Sequence, residues 1–121
     1  MSIVTKYGVW GVKGLLTLAF VAAGGAKLIG AEMMVGTFEA IGWGQWFRYV
    51  TGIIEVGAAV MLWVPGLVAL GAFLLTSTMI CAVIAHLAVL GPSPMPATVL
   101  GLLSALILYL NRGELARKTP A

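Results

Sequence analysis

Apolar residues run along this chain in four long blocks, separated by short breaks of glycine, proline and polar residues. The first block extends from about Gly8 to Ile29, and the second from about Phe47 to Val64. The third covers about Leu67 to Leu90, and the fourth, somewhat short, about Ala97 to Leu110. Between the first two, Met33, Met34, Phe38 and Ile41 recur at helical spacing, with Glu32 and Glu39 interspersed. That recurrence predicts a short amphipathic helix within Gly30 to Gln45, lying at the outer interface or folded back into it. Pro65-Gly66 predicts a tight antiparallel return. Gly91 to Pro96 reads as a stiff loop, because each of its prolines fixes φ and blocks helix continuation. The pattern therefore predicts an all-α protein, a transmembrane four-helix bundle with a short interfacial helix between the first and second spans. A polar tail, 111–121, completes a single domain.

Composition points the same way. The 121 residues are 61% hydrophobic and 9% charged, with a mean hydropathy of +1.08. Soluble domains carry roughly a quarter of their residues as Asp, Glu, Lys and Arg. A soluble enzyme, a nucleic-acid reader and a disulfide-stapled module are accordingly disfavoured. A membrane-crossing helix needs about 20 apolar residues, so this length accommodates about four crossings and little else. Residues 1–26 resemble a cleaved signal peptide, but the sequence starting from Met1 is read with that segment retained as a span.

Where the charges sit matters more than their net of +3. Lys6 and Lys13 flank the first block, Arg112, Arg117 and Lys118 follow the last, and the long internal connection carries Glu32 and Glu39. The excess of cations at the ends predicts a multi-pass protein of the cell membrane with both termini cytoplasmic. Anionic lipid headgroups are the expected partners of those cations, and nucleic acid is not. Trp43, Trp46 and Tyr49 stand where an aromatic belt belongs. The single cysteine, Cys81, lies inside an apolar run and has no Cys or His at ligand spacing, so it reads as a buried, inert thiol.

Ionisable groups inside the blocks carry the functional signal. A charge at mid-membrane costs on the order of 3 kcal/mol, yet Lys27, Arg48, Glu55 and His86 all lie in or at the edge of spans. Helical rise places all four in the outer half, with Glu55 about two turns below Arg48. Arg48, Thr51 or Gly52, and Glu55 share one face of the second span; Thr78, Ala82 and His86 share one of the third. The expectation is a polar pocket with Glu55 at its floor and Lys27, Arg48 and His86 around it. Snorkelling of Lys27, interfacial packing of Arg48 and structural pairing of Glu55 are the competing readings. A quinone or lipid would suit such a pocket. His86, Lys27 and Thr78 would donate to its carbonyls, and Glu55 would accept a proton. No metal site, phosphate loop or Ser-His-Asp set is present.

Small residues at Ala19/Ala23, Ala22/Ala26 and Gly101/Ala105 predict close helix contacts. A weak internal repeat pairs Ala26-Lys27-Leu28 with Ala85-His86-Leu87, and Gly52-Ile53-Ile54-Glu55 with Gly101-Leu102-Leu103-Ser104.

Phe20 to Leu28, Phe38 with Gly42, Arg48, Gly52 to Glu55 with Gly57, and His86 together resemble the DoxX-like family of small four-span membrane proteins. The resemblance covers roughly Gly14 to His86 through the order and spacing of short motifs. It implies a four-helix bundle with a lysine in the first span and a glutamate in the second. It also implies association with redox systems, since one branch supplies a membrane subunit to thiosulfate:quinone oxidoreductase. A membrane subunit, or a quinone- or lipid-binding partner of a redox protein, is therefore the leading expectation. The chain has no visible redox-cofactor site, which argues against a complete enzyme. Assembly of other membrane proteins and transport of a small solute, the latter requiring a homo-oligomer, are the alternatives.

Overall fold

A computed structural model describes residues 3–91, 93–113 and 115, and among these the chain is entirely helical. Helix α1 spans Ile3–Ile29, α2 Glu32–Ile41, α3 Gln45–Met61, α4 Val68–Ala85 and α5 Met95–Leu110. A wide turn, His86–Leu90, extends α4, and its Gly91 N–H reaches back to His86 O at 3.1 Å. Two helices, Ile3–Ile29 and Val68–Leu90, are long and apolar enough to cross a membrane, and Met95–Leu110 is a shorter apolar helix. Arg117 and Lys118, and with them most of the expected polar tail, lie outside the described residues, as does Pro92.

Helix boundaries differ from the sequence expectation where local chemistry overrides hydropathy. The second block ends as a helix at Met61, and residues 62–67 make a chain of turns rather than a two-residue return. Pro96 is in the first turn of α5 instead of in the loop. A proline there has no intrahelical N–H bond to lose, and its fixed φ suits a helix start. Ser93 Oγ accepts from Met95 N–H at 3.1 Å just ahead of it.

The helices pack as α1 on α3, α3 on α4 and α4 on α5, with α1 and α5 also in contact. Leu16, Phe20, Ala58, Ala59, Leu62, Ala72, Leu75 and Ile107 fill the interior nearest the 62–67 turn. In the same half, the Trp63 indole donates to Thr17 Oγ1 at 2.7 Å. The outward faces are also apolar: Leu18, Ile53, Ile80, Ile84 and Leu102 are each more than half exposed. Only 22% of the apolar window in α1 and 33% of that in α4 is buried inside the protein. Water would not tolerate so wide an apolar exterior, whereas lipid requires one.

A tight contact joins α1 to α3 through glycines. A Cβ placed on Gly24 would meet Val56 Cγ2 at 2.7 Å and Gly52 O at 2.9 Å; one on Gly52 would meet Gly24 O at 3.0 Å. Gly71 makes a comparable close approach between α4 and α3, where a Cβ would meet Ala58 O at 2.8 Å. Replacing Gly24 by Leu is expected to lower stability by about 2 kcal/mol or more through overpacking. Gly25→Leu, at a site with open space, should change it by less than about 0.5 kcal/mol. Unfolding midpoints of the two variants in mild detergent make the comparison.

Candidate functional site

Glu55 of α3 stands opposite Gly24 in the glycine crossing, and Lys27, one turn further along the antiparallel α1, reaches back to it. Their side chains form an ion pair, Nζ to Oε1 2.6 Å, with Glu55 only 1% exposed. A short charge-assisted contact is the arrangement that makes two charges tolerable away from water. Lys27 therefore turns inward to a partner rather than snorkelling to headgroups.

Arg48 has a different task from the one its position suggests. It is buried, and its Nη1 donates to the main-chain carbonyl of Lys27 in the last turn of α1, which also accepts from Gly30 N–H at 3.3 Å. Its Nε donates to Gln45 Oε1 at 2.7 Å, and its guanidinium lies 4.3 Å from the centre of the Tyr49 ring. Gln45 in turn donates from Nε2 to Val35 O at 3.1 Å, tying α2 to α3. Arg48 is absent from the cavity wall; instead of guarding a pocket mouth, it fastens the helix end that carries Lys27. Sequence reasoning missed Gln45, whose signal was its place three residues before Arg48 on the same helical face.

Beside the ion pair lies a cavity of about 460 Å³, bounded by α2, α3 and α4 with its wide final turn. Lys27, Glu55, Thr78 and His86, which the sequence groups together, all line it. The rest of the wall is mainly apolar, with Phe47, Ile54, Leu74 and Met79 among its residues. Helix α2 is the roof: Met33, Met34, Thr37, Phe38 and Ile41 all face the space. Phe38 is nearly buried and packs edge-on to Phe47, ring centres 5.7 Å apart. The apolar stripe of α2 thus covers a hollow in the protein in addition to any role at an interface.

Two sequence expectations need correction. Thr78 was expected to donate to a ligand, but its hydroxyl donates to Leu74 O at 2.8 Å, four residues back. Only its oxygen lone pairs remain for another molecule. Cys81 was expected to be buried; it is exposed and forms part of the cavity wall. In a helix apolar on every side, hydropathy does not distinguish the inner face from the lipid face. His86 is half-buried, and its Nδ1 is sealed from solvent without a hydrogen-bond partner. Buried polar atoms are seldom left so, and this one belongs to a side chain that lines the cavity.

Comparison with known proteins agrees with the family resemblance. The model of the DoxX-like family matches residues 11–108, the greater part of the chain. No curated protein and no solved structure matches.

Breaking the ion pair from one side should be worse than removing it whole. Lys27→Met or Glu55→Leu alone leaves an uncompensated buried charge and is expected to cost about 3 kcal/mol. The double variant, with an apolar pair in place of the ionic one, should recover most of that loss. A double-mutant cycle of unfolding free energies in detergent checks this, and a double variant as unstable as the worse single would refute it.

Proposed function

Because the chain belongs to the DoxX-like family of membrane proteins, we propose that it is a four-span protein holding an amphipathic molecule of the quinone or lipid class beneath α2. In this reading it serves a redox system as a membrane subunit or ligand-binding partner. The observation that carries the proposal is the cavity itself: an apolar hollow with a buried ion pair on its wall and an unpartnered imidazole nitrogen beside it. Its volume lies within the range of small-molecule sites, about 300–1,000 Å³. Apolar walls receive a ring or tail, while Lys27, Glu55 and His86 offer hydrogen bonds to a polar head. No redox centre is required of this chain in such a role, since the partner would supply it.

The proposed topology has α1, α3, α4 and α5 as spans and both termini on the cytoplasmic side. Helices α3 and α5 are short, at about 25 Å each, but they lie against the longer pair and turn apolar residues such as Ile53, Val60 and Leu102 outward. At the end away from the cavity, Lys6 and Lys13 lie over the rings of Trp10 and Trp63, and Arg112 over Tyr109. Cations with aromatic rings suit a cytoplasmic headgroup layer. An assembly factor would need its small-residue faces free for other helices. Here Gly24, Gly52, Gly71 and Gly101 are used in internal contacts while Gly11, Gly14, Gly25 and Gly57 meet open space, so small residues do not separate the two readings and the cavity favours a ligand. A transporter would need a route through the densely filled half below the cavity. The ligand-binding reading is therefore preferred.

The only cysteine in the sequence is a built-in reporter on the cavity wall. Protein purified in mild detergent should carry a quinone or lipid detectable by mass spectrometry after solvent extraction. Adding back decylubiquinone should slow alkylation of Cys81 by N-ethylmaleimide several-fold. If no amphipathic molecule, endogenous or added, protects Cys81, the proposal fails.

A further inference from the structure

The hydrogen-bonding inventory of the cavity is lopsided, and this constrains the head group it would take. Thr37, Thr51 and Thr78 line the wall, and each has already committed its one hydroxyl proton to the carbonyl four residues earlier. The distances, 2.9, 2.9 and 2.8 Å, are those of well-formed bonds. What these side chains present to a guest is oxygen lone pairs. The Glu55 carboxylate is likewise an acceptor when ionised, with Oε1 held by Lys27. A neutral His86 supplies one acceptor and one donor. The other donors are the Lys27 ammonium, whose Nζ stands 2.6 Å from Glu55 Oε1, and the Ser77 hydroxyl, fewer than the acceptors around them.

A carbonyl head can only accept. Seated here, it would engage Lys27, Ser77 or the imidazole N–H and leave the carboxylate and the part-buried Thr51 and Thr78 oxygens facing it unfilled, which is costly. A hydroxyl head does both jobs, donating to Glu55 or His86 while accepting from Lys27. The framework behind that hydroxyl is also indicated. Phe38 and Phe47 give the wall aromatic rings, and Met33, Met34 and Met79 give it thioethers, groups that pack favourably on a flat aromatic ring.

We propose that the cavity beneath α2 selects a phenolic or hydroquinolic head group over the carbonyl or ether of the same framework, because committed threonines and a paired carboxylate make its walls rich in acceptors. This rests on the ligand-binding reading above and specifies its chemistry. In a quinone couple, the reduced member is the one retained.

The test uses the wild-type chain and two probes of nearly equal shape, para-octylphenol and its methyl ether, para-octylanisole. The ether keeps an acceptor oxygen and lacks the proton. Each is titrated at known mole fraction in the detergent phase, and the N-ethylmaleimide alkylation rate of Cys81 is followed. Half-protection by the phenol is expected at about a tenfold lower mole fraction than by the ether, the factor associated with one charge-assisted hydrogen bond. Equal potency, or a tighter ether, overturns the selection of a hydroxyl while the binding site stands. Protection by neither probe, nor by decylubiquinone, overturns the site along with it.

Discussion

The requirement that two opposite charges meet inside an apolar bundle governs the rest of this structure. Neither Lys27 nor Glu55 is supportable alone at that depth, so the helices carrying them must be held at a fixed height and separation. The glycine crossing provides this: on the antiparallel α1 and α3, Lys27 lies one turn from Gly24 and Glu55 one turn from Gly52 in the opposite direction, and side chains that lean toward their own helix N-termini meet across the crossing. Arg48 adds a second constraint by holding the carbonyl of the same lysine. Lys27 is thus anchored through its side chain by Glu55 and through its backbone by Arg48.

Around that anchor the bundle divides into two unlike halves. Toward the 62–67 turn, Leu16, Phe20, Leu62, Leu75 and Ile107 are buried against one another as a filled core. Above them the helices part, and α2 closes the gap as a roof instead of a fifth strut. A rigid lower half lets the upper half remain hollow without the bundle collapsing into it. Polar groups accumulate where the hollow is, because there they can be satisfied by one another or by a guest.

Much of this could be read from the order of residues. Long apolar blocks interrupted by Pro-Gly and Gly-Pro gave the number of helices, and ionisable residues in apolar surroundings marked Lys27, Glu55 and His86, which share one cavity. What stayed hidden was direction. A membrane helix is apolar inside and out, so periodicity could not say whether Cys81 faced the core, or that the stripe of α2 covered a cavity. Arg48 was misleading for a related reason: helical spacing placed it on the face of Glu55, but its long side chain reaches instead to the end of α1. The commitment of Thr78 to Leu74 follows from the habit of helical threonines to bond four residues back. It was legible in principle and outweighed by the attraction of a ready-made donor.

The run of hydrogen bonds from Val35 through Gln45 and Arg48 to Lys27 has a mechanical corollary. It is a tether whose far end is the charged residue on the cavity wall. Whatever raises α2 strains Gln45 first and the lysine's own main chain last, so the position of the roof and the seat of the buried charge are mechanically joined.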